Sequence, residues 1–299
     1  MIVDRLMDRI KSKGNPTVLG LDTRIEYLPD SMQPKEGGFA AAAWAILQYN
    51  RGLVDALCDI VPAVKLQAAY YEMYSVPGMQ ALYETARYAA DKGLVVVGDG
   101  KRNDIGATAS SYAAAYLGET SLIGKADRAF PMDFLTVNPY LGSDGVLPFV
   151  EQCVQWDKGI FVLVKTSNPS SGELQDLICG GRPIYEIMGG YVKEWGSGLL
   201  GDYGYSAVGA VVGATYPEQG QRLREQMDGV FFLVPGYGAQ GATGKDLAGL
   251  FDENGEGAIV NASRSLLCAH QKERYAGLDY SSAARKEAER MREDICSHL

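Results

Sequence analysis

Residues 94–109 read LVVVGDGKRNDIGATA, and this stretch combines a buried strand with a cluster of charges. It opens with an apolar, β-branched run, Leu94–Asp99, which is typical of a strand that is buried on both faces. Closely spaced charges follow at Asp99, Lys101 and Asp104. A buried strand that ends in charged side chains indicates a parallel sheet, because polar groups gather at the carboxyl ends of such strands.

Seven more apolar runs occur, and each ends in glycine or polar residues. They are Thr17–Asp22, Ala63–Gln67, Asp133–Tyr140, Gly159–Ser167, Ala207–Thr215, Val230–Gly236 and Gly257–Arg264. Helical patterns are found at Gly38–Asp59, Pro77–Lys92, Tyr112–Leu117, Gly145–Val154, Tyr185–Leu199, Tyr216–Met227 and Ser281–Cys296. This alternation predicts an α/β protein with a (β/α)8 TIM barrel, and a doubly wound open sheet is the alternative. We expect residues 1–299 to form a single domain, since no linker interrupts them.

Composition excludes several classes of protein. The net charge of −9 argues against binding to nucleic acid or to an anionic membrane. No apolar run approaches the roughly 18 residues of a membrane span, and the start of the chain lacks the apolar segment of a signal peptide. Five cysteines without a CxxC pair indicate reduced thiols, a cytoplasmic location and no zinc site. With two histidines, His270 and His298, chemistry that depends on histidine is nearly excluded.

Four charged residues are expected to meet at the mouth of the barrel. Asp99 and Lys101 are two residues apart, so on a regular strand both side chains face the same way. Asp104 follows the strand, and Lys65 lies in the preceding run. Each residue alone could be a solvated charge at a strand end, but lysine is almost never fully buried without a partner. Together they predict alternating charges that stabilise one another.

A glycine-rich loop and an arginine predict a phosphate site. The seventh run leads into PGYGAQG at residues 235–241, in which Gly236 and Gly238 begin a GxGxxG pattern. A dinucleotide fingerprint would lie in the first strand–helix unit, which disfavours that interpretation. Barrels often bind phosphate after strands seven and eight, through backbone N–H groups and a helix N-terminus. Gln240 and Arg264 would complete the site, although either alone could be an ordinary surface residue.

The pattern Asp99-x-Lys101-x-x-Asp104, with Thr108 four residues later, is similar to the signature of the orotidine 5'-phosphate decarboxylase family. In that family a second lysine lies on the preceding strand, and Lys65 matches it. The resemblance implies a homodimer with shared active sites, in which Asp104 and Thr108 serve the partner subunit. It covers nearly the whole chain, which is most similar to the longer bacterial branch.

The resemblance also assigns the residues that bind substrate. It places Asp22 on a ribose hydroxyl and Ser167 on the pyrimidine, although by themselves they could be turn residues. It assigns the phosphate to Gly236, Gly238, Gln240 and Arg264. Two segments look inserted, at Thr23–Gly37 and Leu174–Gly204, and they leave open which loop covers the base.

The implied reaction converts orotidine 5'-phosphate (OMP) to UMP and CO2, with no metal and no organic cofactor. Loss of CO2 leaves a carbanion at C6 without a neighbouring carbonyl, so a fixed ammonium must stabilise it. The resemblance gives this role and the later protonation to Lys101. Asp99 would hold Lys101, and Lys65 would orient Asp99 and contact the ribose. A sugar-phosphate decarboxylase that uses Mg²⁺ and a non-catalytic nucleotide-binding barrel are the alternatives.

Overall fold

The computed structural model describes residues 1–238 and 241–299, and its centre is a closed barrel of eight parallel strands. The strands are β1 (Thr17–Gly20), β2 (Ala63–Gln67), β3 (Val95–Arg102), β4 (Phe134–Val137), β5 (Gly159–Lys165), β6 (Ser206–Val212), β7 (Val230–Val234) and β8 (Ala258–Ala262). They pair in chain order, and β8 pairs with β1. The predicted barrel is confirmed. The open-sheet alternative is wrong, because every barrel strand is paired on both sides.

Helices connect the strands. The longer ones are α1 (Ile2–Lys13), α2 (Gly38–Leu57), α3 (Ser75–Asp91), α4 (Gly106–Leu117), α5 (Ser143–Trp156), α6 (Ile184–Gly196), α7 (Pro217–Gln226) and α8 (Tyr280–Cys296). One-turn helices lie at Ala69–Glu72, Gly172–Gln175, Gly244–Leu247 and Arg264–Leu267. Short hairpins pair Thr120–Leu122 with Lys125–Asp127, and Ile178–Cys179 with Arg182–Pro183. In the part of the chain that the structure describes, no helix is both long and apolar enough to cross a membrane.

Helix α1 closes the amino-terminal end of the barrel. Arg5 on this helix forms an ion pair of 2.8 Å with Asp133, which directly precedes β4. Inside the barrel, Phe134 and Phe161 stack with 4.9 Å between their ring centroids. The buried side chains of α1 that join this interior cluster are Ile2, Val3, Leu6 and Met7. Because this end is filled with apolar side chains, a substrate site has to lie at the opposite end.

The carboxyl-terminal end of the barrel is polar. Strand β4 ends at Val137, three residues before the predicted end, because Pro139 has no N–H to donate to a neighbouring strand. The side chain of Asn138 accepts a hydrogen bond of 3.1 Å from the backbone N–H of Tyr140 and starts a turn there. Because all eight strands are parallel, the polar residues at their carboxyl ends lie together around this rim.

Candidate active site

A row of four alternating charges crosses the carboxyl-terminal end of the barrel. Nζ of Lys65 on β2 lies 2.7 Å from Oδ2 of Asp99 on β3. The other oxygen of that carboxylate, Oδ1, lies 2.6 Å from Nζ of Lys101. Asp22, just after β1, lies 3.4 Å from Nζ of Lys65. Residues on or next to three adjacent strands thus form the row Asp22–Lys65–Asp99–Lys101, which we call the charged row.

Burial makes the middle of the charged row depend on its own partners. Lys65 is 3% exposed and Asp99 is 7% exposed. Burial by itself would lower the pKa of Lys65, but the charges of Asp22 and Asp99 raise that pKa above its usual range. Burial likewise acts to raise the pKa of Asp99, whereas Lys65 and Lys101 hold it well below its usual range. Lys65 and Asp99 are therefore both charged at neutral pH.

The backbone at Lys101 departs from a regular strand. Its φ of 46° lies in the left-handed region, which is uncommon for a residue other than glycine. The pairing of β3 with β4 also shifts register between Gly98 and Arg102. Asp99 and Lys101 are in contact, as the sequence predicts, but regular alternation is the wrong reason. An irregularity in the strand brings them together.

Two side chains that sequence reasoning missed hold the carboxylate of Asp99. Thr136 on β4 donates a hydrogen bond of 2.9 Å to Oδ1 and accepts one of 2.9 Å from the backbone N–H of Lys101. Gln67 at the end of β2 donates one of 3.0 Å to Oδ2. Each oxygen of Asp99 therefore accepts from a lysine and from a neutral donor. The available signals, a hydroxyl within DFLTVNPY and an amide closing AVKLQ, do not distinguish a site residue from a core or turn residue.

Asp104 and Thr108 lie apart from the charged row. Asp104 follows β3, and its Oδ1 accepts a hydrogen bond of 2.8 Å from the backbone N–H of Ile105. Thr108 is exposed in the first turn of α4. Among the hydrogen bonds and ion pairs within residues 1–238 and 241–299, none joins Asp104 or Thr108 to the charged row. The expectation that Asp104 is the fourth charge of the row is wrong within one chain, where Asp22 takes that position.

A cavity of about 410 Å³ opens on one side of the charged row. The row contributes Lys65, Asp99 and Lys101 to its wall, and Ser167 lies in the loop that follows β5. The remaining lining residues include the apolar side chains Leu163, Val211 and Leu233. A pocket that combines apolar side chains with polar hydrogen-bonding groups suits a flat heterocycle. The structure thus places Ser167 beside the charged row, as the sequence predicts.

A second cavity, of about 390 Å³, opens on the other side of the row. It shares Lys65 and Asp99 with the first cavity. Asp22 lines it, as do Gly236 from the loop after β7 and Arg264 from the segment after β8. Three of the predicted ribose and phosphate residues, Asp22, Gly236 and Arg264, are therefore adjacent in space. Gln240, which the sequence also assigns to this site, lies outside the described residues.

The loop after β7 needs its glycines. Gly236, Gly238 and Gly241 have φ values of 111°, 70° and 93°, which residues with a side chain rarely adopt. Tyr237 anchors the loop by donating a hydrogen bond of 2.6 Å to Asp294 on α8. A backbone loop of this kind can approach an anion closely.

The contribution of a helix N-terminus to this site stays a prediction. The helices that follow β7 and β8, Gly244–Leu247 and Arg264–Leu267, have four residues each. The carboxylate of Asp246 already caps the first of them through the N–H and hydroxyl of Thr243. A single turn has a small dipole, so backbone N–H groups and Arg264 remain as the predicted phosphate ligands of the described residues.

The fold and the site together define a (β/α)8-barrel enzyme with its active site at the carboxyl-terminal rim. A sequence model of the orotidine 5'-phosphate decarboxylase / HUMPS family matches residues 44–277. The orotidine 5'-phosphate decarboxylase of Caldicellulosiruptor bescii is 44% identical over 98% of this chain and 97% of its own length. The chain belongs to the orotidine 5'-phosphate decarboxylase / HUMPS family, which confirms the resemblance.

Solved structures agree with this assignment. Leishmania donovani OMP decarboxylase matches with a TM-score of 0.72 and 28% identity, over 98% of this chain and 98% of its own. Leishmania donovani UMP synthase matches with a TM-score of 0.76 and 31% identity. That match covers 98% of this chain, which spans 56% of the longer synthase chain.

Replacing Asp99 by asparagine should destabilise the protein by about 3–5 kcal/mol at neutral pH, because buried Lys65 would lose its nearer counter-charge. The folded pKa of Asp99 lies below its unfolded value of about 3.9, so its contribution is complete above about pH 5. That contribution is lost as the pH falls through the folded value. Urea denaturation should therefore give a difference between wild type and variant that is constant from about pH 5 to 8 and shrinks below about pH 4.

The matched control is Asp127→Asn, which removes an exposed carboxylate 3.7 Å from Lys125. It should change the free energy of unfolding by less than about 0.5 kcal/mol. If the effect of Asp99→Asn were equally small at neutral pH, the buried pair would not have the role that its geometry indicates.

Proposed function

We propose that this chain decarboxylates OMP to UMP and CO2 in the cytoplasm, as a step of de novo pyrimidine biosynthesis, with residues 1–299 acting as one catalytic domain. The position of the charged row between two cavities carries this proposal. A nucleotide needs a pocket for its base, polar groups for its ribose and a site for its phosphate, in that order. The site offers those three parts in that order, and the family to which the chain belongs supports the same reaction.

Each part of the substrate has a proposed location. The pyrimidine would occupy the cavity of about 410 Å³ and contact Ser167. Asp22 and Lys65, at the junction of the cavities, would bind the ribose hydroxyls. The phosphate would be bound by Gly236, Gly238, Gln240 and Arg264. Binding at the phosphate end would supply energy that orients the base at the other end.

Lys101 is the proposed catalytic group. When the bond between C6 and the carboxylate breaks, CO2 leaves and the electron pair stays on C6. The ammonium of Lys101 would stabilise this carbanion electrostatically, and would then transfer a proton to C6. The side chain of Lys101 is 44% exposed toward the cavity that it lines, whereas that of Lys65 is 4% exposed and lies between two aspartates. Lys101 is thus the better placed of the two lysines.

Asp99 is proposed to keep Lys101 charged and oriented. Its carboxylate accepts from both lysines of the row and from two neutral donors, so it has little freedom to rotate. In the complex it would lie beside the substrate carboxylate that departs as CO2. Lys65 would hold Asp99 while it contacts the ribose.

We also propose that two copies of the chain share their active sites. Asp104 and Thr108 lie outside the charged row of their own chain, and the neighbouring Ile105 and Tyr112 are 55% and 37% exposed. Exposed apolar side chains among polar ones are typical of a surface that contacts another protein. In a homodimer, Asp104 and Thr108 would complete the active site of the partner subunit.

The first test is a spectrophotometric assay of OMP loss, with and without EDTA. We expect conversion to UMP that EDTA does not affect, because Lys101 would supply the positive charge at C6. If the protein instead turned over a sugar phosphate in a reaction that EDTA abolished, the function would be that of a metal-dependent decarboxylase. Binding of UMP without turnover of either substrate would support the non-catalytic barrel.

Replacing Lys101 by alanine should lower kcat by a factor on the order of 1,000 or more, since the charge that stabilises the carbanion is removed. UMP binding should survive, because the base, ribose and phosphate contacts remain, and calorimetry measures this. Lys125→Ala, which removes an exposed lysine from a surface hairpin, is the control and should retain full activity. Unchanged turnover by Lys101→Ala would exclude the assignment.

Mixing inactive Lys101→Ala and Asp104→Ala proteins tests the shared site. If Asp104 serves the partner subunit, a mixed dimer has one site with both defects and one intact site, so activity should reappear. Labelled subunits show whether exchange has taken place. Persistent inactivity after proven exchange would contradict a role for Asp104 across the interface.

A further inference from the structure

A second buried lysine lies beside the base cavity, outside the charged row. Lys165 is the last residue of β5 and is 0% exposed. Its Nζ lies 2.7 Å from Oδ1 of Asp176, and 4.6 Å from the centre of the Tyr216 ring. A fully buried lysine is rare unless it is paired, so the carboxylate of Asp176 is what permits Lys165 to lie there.

The ion pair joins the two ends of one loop. The chain leaves β5 at Lys165, runs through a one-turn helix at Gly172–Gln175, and reaches Asp176 directly afterwards. A second pair of contacts lies next to the first. The backbone N–H of Thr166 donates a hydrogen bond of 3.0 Å to Oε1 of Gln175, and Nε2 of Gln175 donates one of 2.8 Å to the hydroxyl of Thr166. Residues 166–176, which we call the β5 loop, are therefore closed at the base by two adjacent pairs.

The β5 loop forms part of the wall of the base cavity. Four of its residues line that cavity, namely Thr166, Ser167, Asn168 and Gln175. Ser167, the proposed pyrimidine contact, is held from behind because its carbonyl accepts a hydrogen bond of 3.2 Å from Thr215. The second cavity, proposed for the phosphate, has no lining residue from this loop among those described. The Lys165–Asp176 pair thus closes a loop that lines one end of the site and not the other.

We propose that Lys165 is a positioning residue which, through Asp176, fixes the β5 loop against the pyrimidine of the substrate. The inference rests on the proposed function, and it names the segment that recognises the base. Lys165 does not line either cavity, so its effect has to pass through the loop. Without the pair, the loop would lose the contact at its base that holds Ser167 in place.

The test compares a ligand that has the base with one that lacks it. Lys165→Met keeps an unbranched side chain one atom shorter than that of lysine and removes its charge. We expect it to weaken competitive inhibition by UMP roughly 10- to 100-fold, since misplacing a binding group by about 1 Å has effects of this size. Inhibition by ribose 5-phosphate should change by less than about twofold, because the phosphate end is untouched. The ratio of the two inhibition constants is the readout.

Lys158→Met is the matched control. Lys158 is also a buried lysine, 8% exposed and 3.0 Å from Asp133, but it lies at the opposite end of the barrel. Its loss should lower the melting temperature and leave the ratio of the inhibition constants unchanged. If Lys165→Met weakened both ligands equally, or weakened neither, the ratio of the inhibition constants would stay the same and the proposal would be overturned.

Asp176→Asn provides a second route if Lys165→Met fails to fold. The Asp176 side chain is 40% exposed, and the substitution keeps its shape. It should shift the ratio of the inhibition constants in the same direction as Lys165→Met does. In the double variant Lys165→Met/Asp176→Asn, the shift in this ratio should be no larger than in the stronger single variant. Additive losses would contradict a shared effect. Turnover of OMP by the wild type is measured first, so that failure of the proposed function is recognised separately.

Discussion

The ion pair between Lys65 and Asp99 holds the centre of the charged row together. Neither charge could be buried alone, since an isolated ion in the protein interior is strongly unfavourable. The register of the two strands brings the charges together. Gln67 on β2 lies opposite Asp99 on β3, and the side chains of both Gln67 and Lys65 donate hydrogen bonds to the carboxylate of Asp99. Both oxygens of Asp99 are then fully used, so the carboxylate presents a fixed charge to Lys101. Any ligand at this rim meets a preorganised electrostatic field rather than mobile side chains.

The two ends of the barrel differ in character: the amino-terminal end is packed with apolar side chains, and the carboxyl-terminal end holds the charged site. At the amino-terminal end, α1 covers an interior that includes the stacked rings of Phe134 and Phe161, and this packing tolerates little change. At the carboxyl-terminal end, the chain holds a left-handed Lys101 and buried charges, which are conformations and environments that proteins normally avoid. Strain of this kind persists only if the surrounding structure determines it. At Lys101, the hydrogen bond from its backbone N–H to Thr136 and the ion pair with Asp99 provide such a constraint.

Much of this arrangement could be predicted from the sequence, because the signals are local. Eight apolar runs give the strands, and the charges that close them give the rim, including Lys65 and Asp99. Contacts that depend on exact register could not be predicted, as with Thr136, which lies inside an apolar run and still reaches Asp99. Nor does any local pattern predict that Lys165 pairs with Asp176. Helix α4 begins at Gly106, whereas the sequence predicts a start at Tyr112. The prediction misses the first turns because they consist of small residues without apolar periodicity.

Three lysines near the base cavity show how burial divides roles among identical groups. Lys65 and Lys165 are enclosed, and each is held by a carboxylate at 2.7 Å, so neither can follow a substrate through a reaction. Lys101 has an equally close carboxylate at 2.6 Å, but its side chain is 44% exposed and its backbone lies on an irregular strand end. Proton transfer to carbon requires an ammonium that is oriented and still accessible. Since the three groups are chemically the same, the fold separates the proposed catalyst from the groups that position it by how far each one is enclosed.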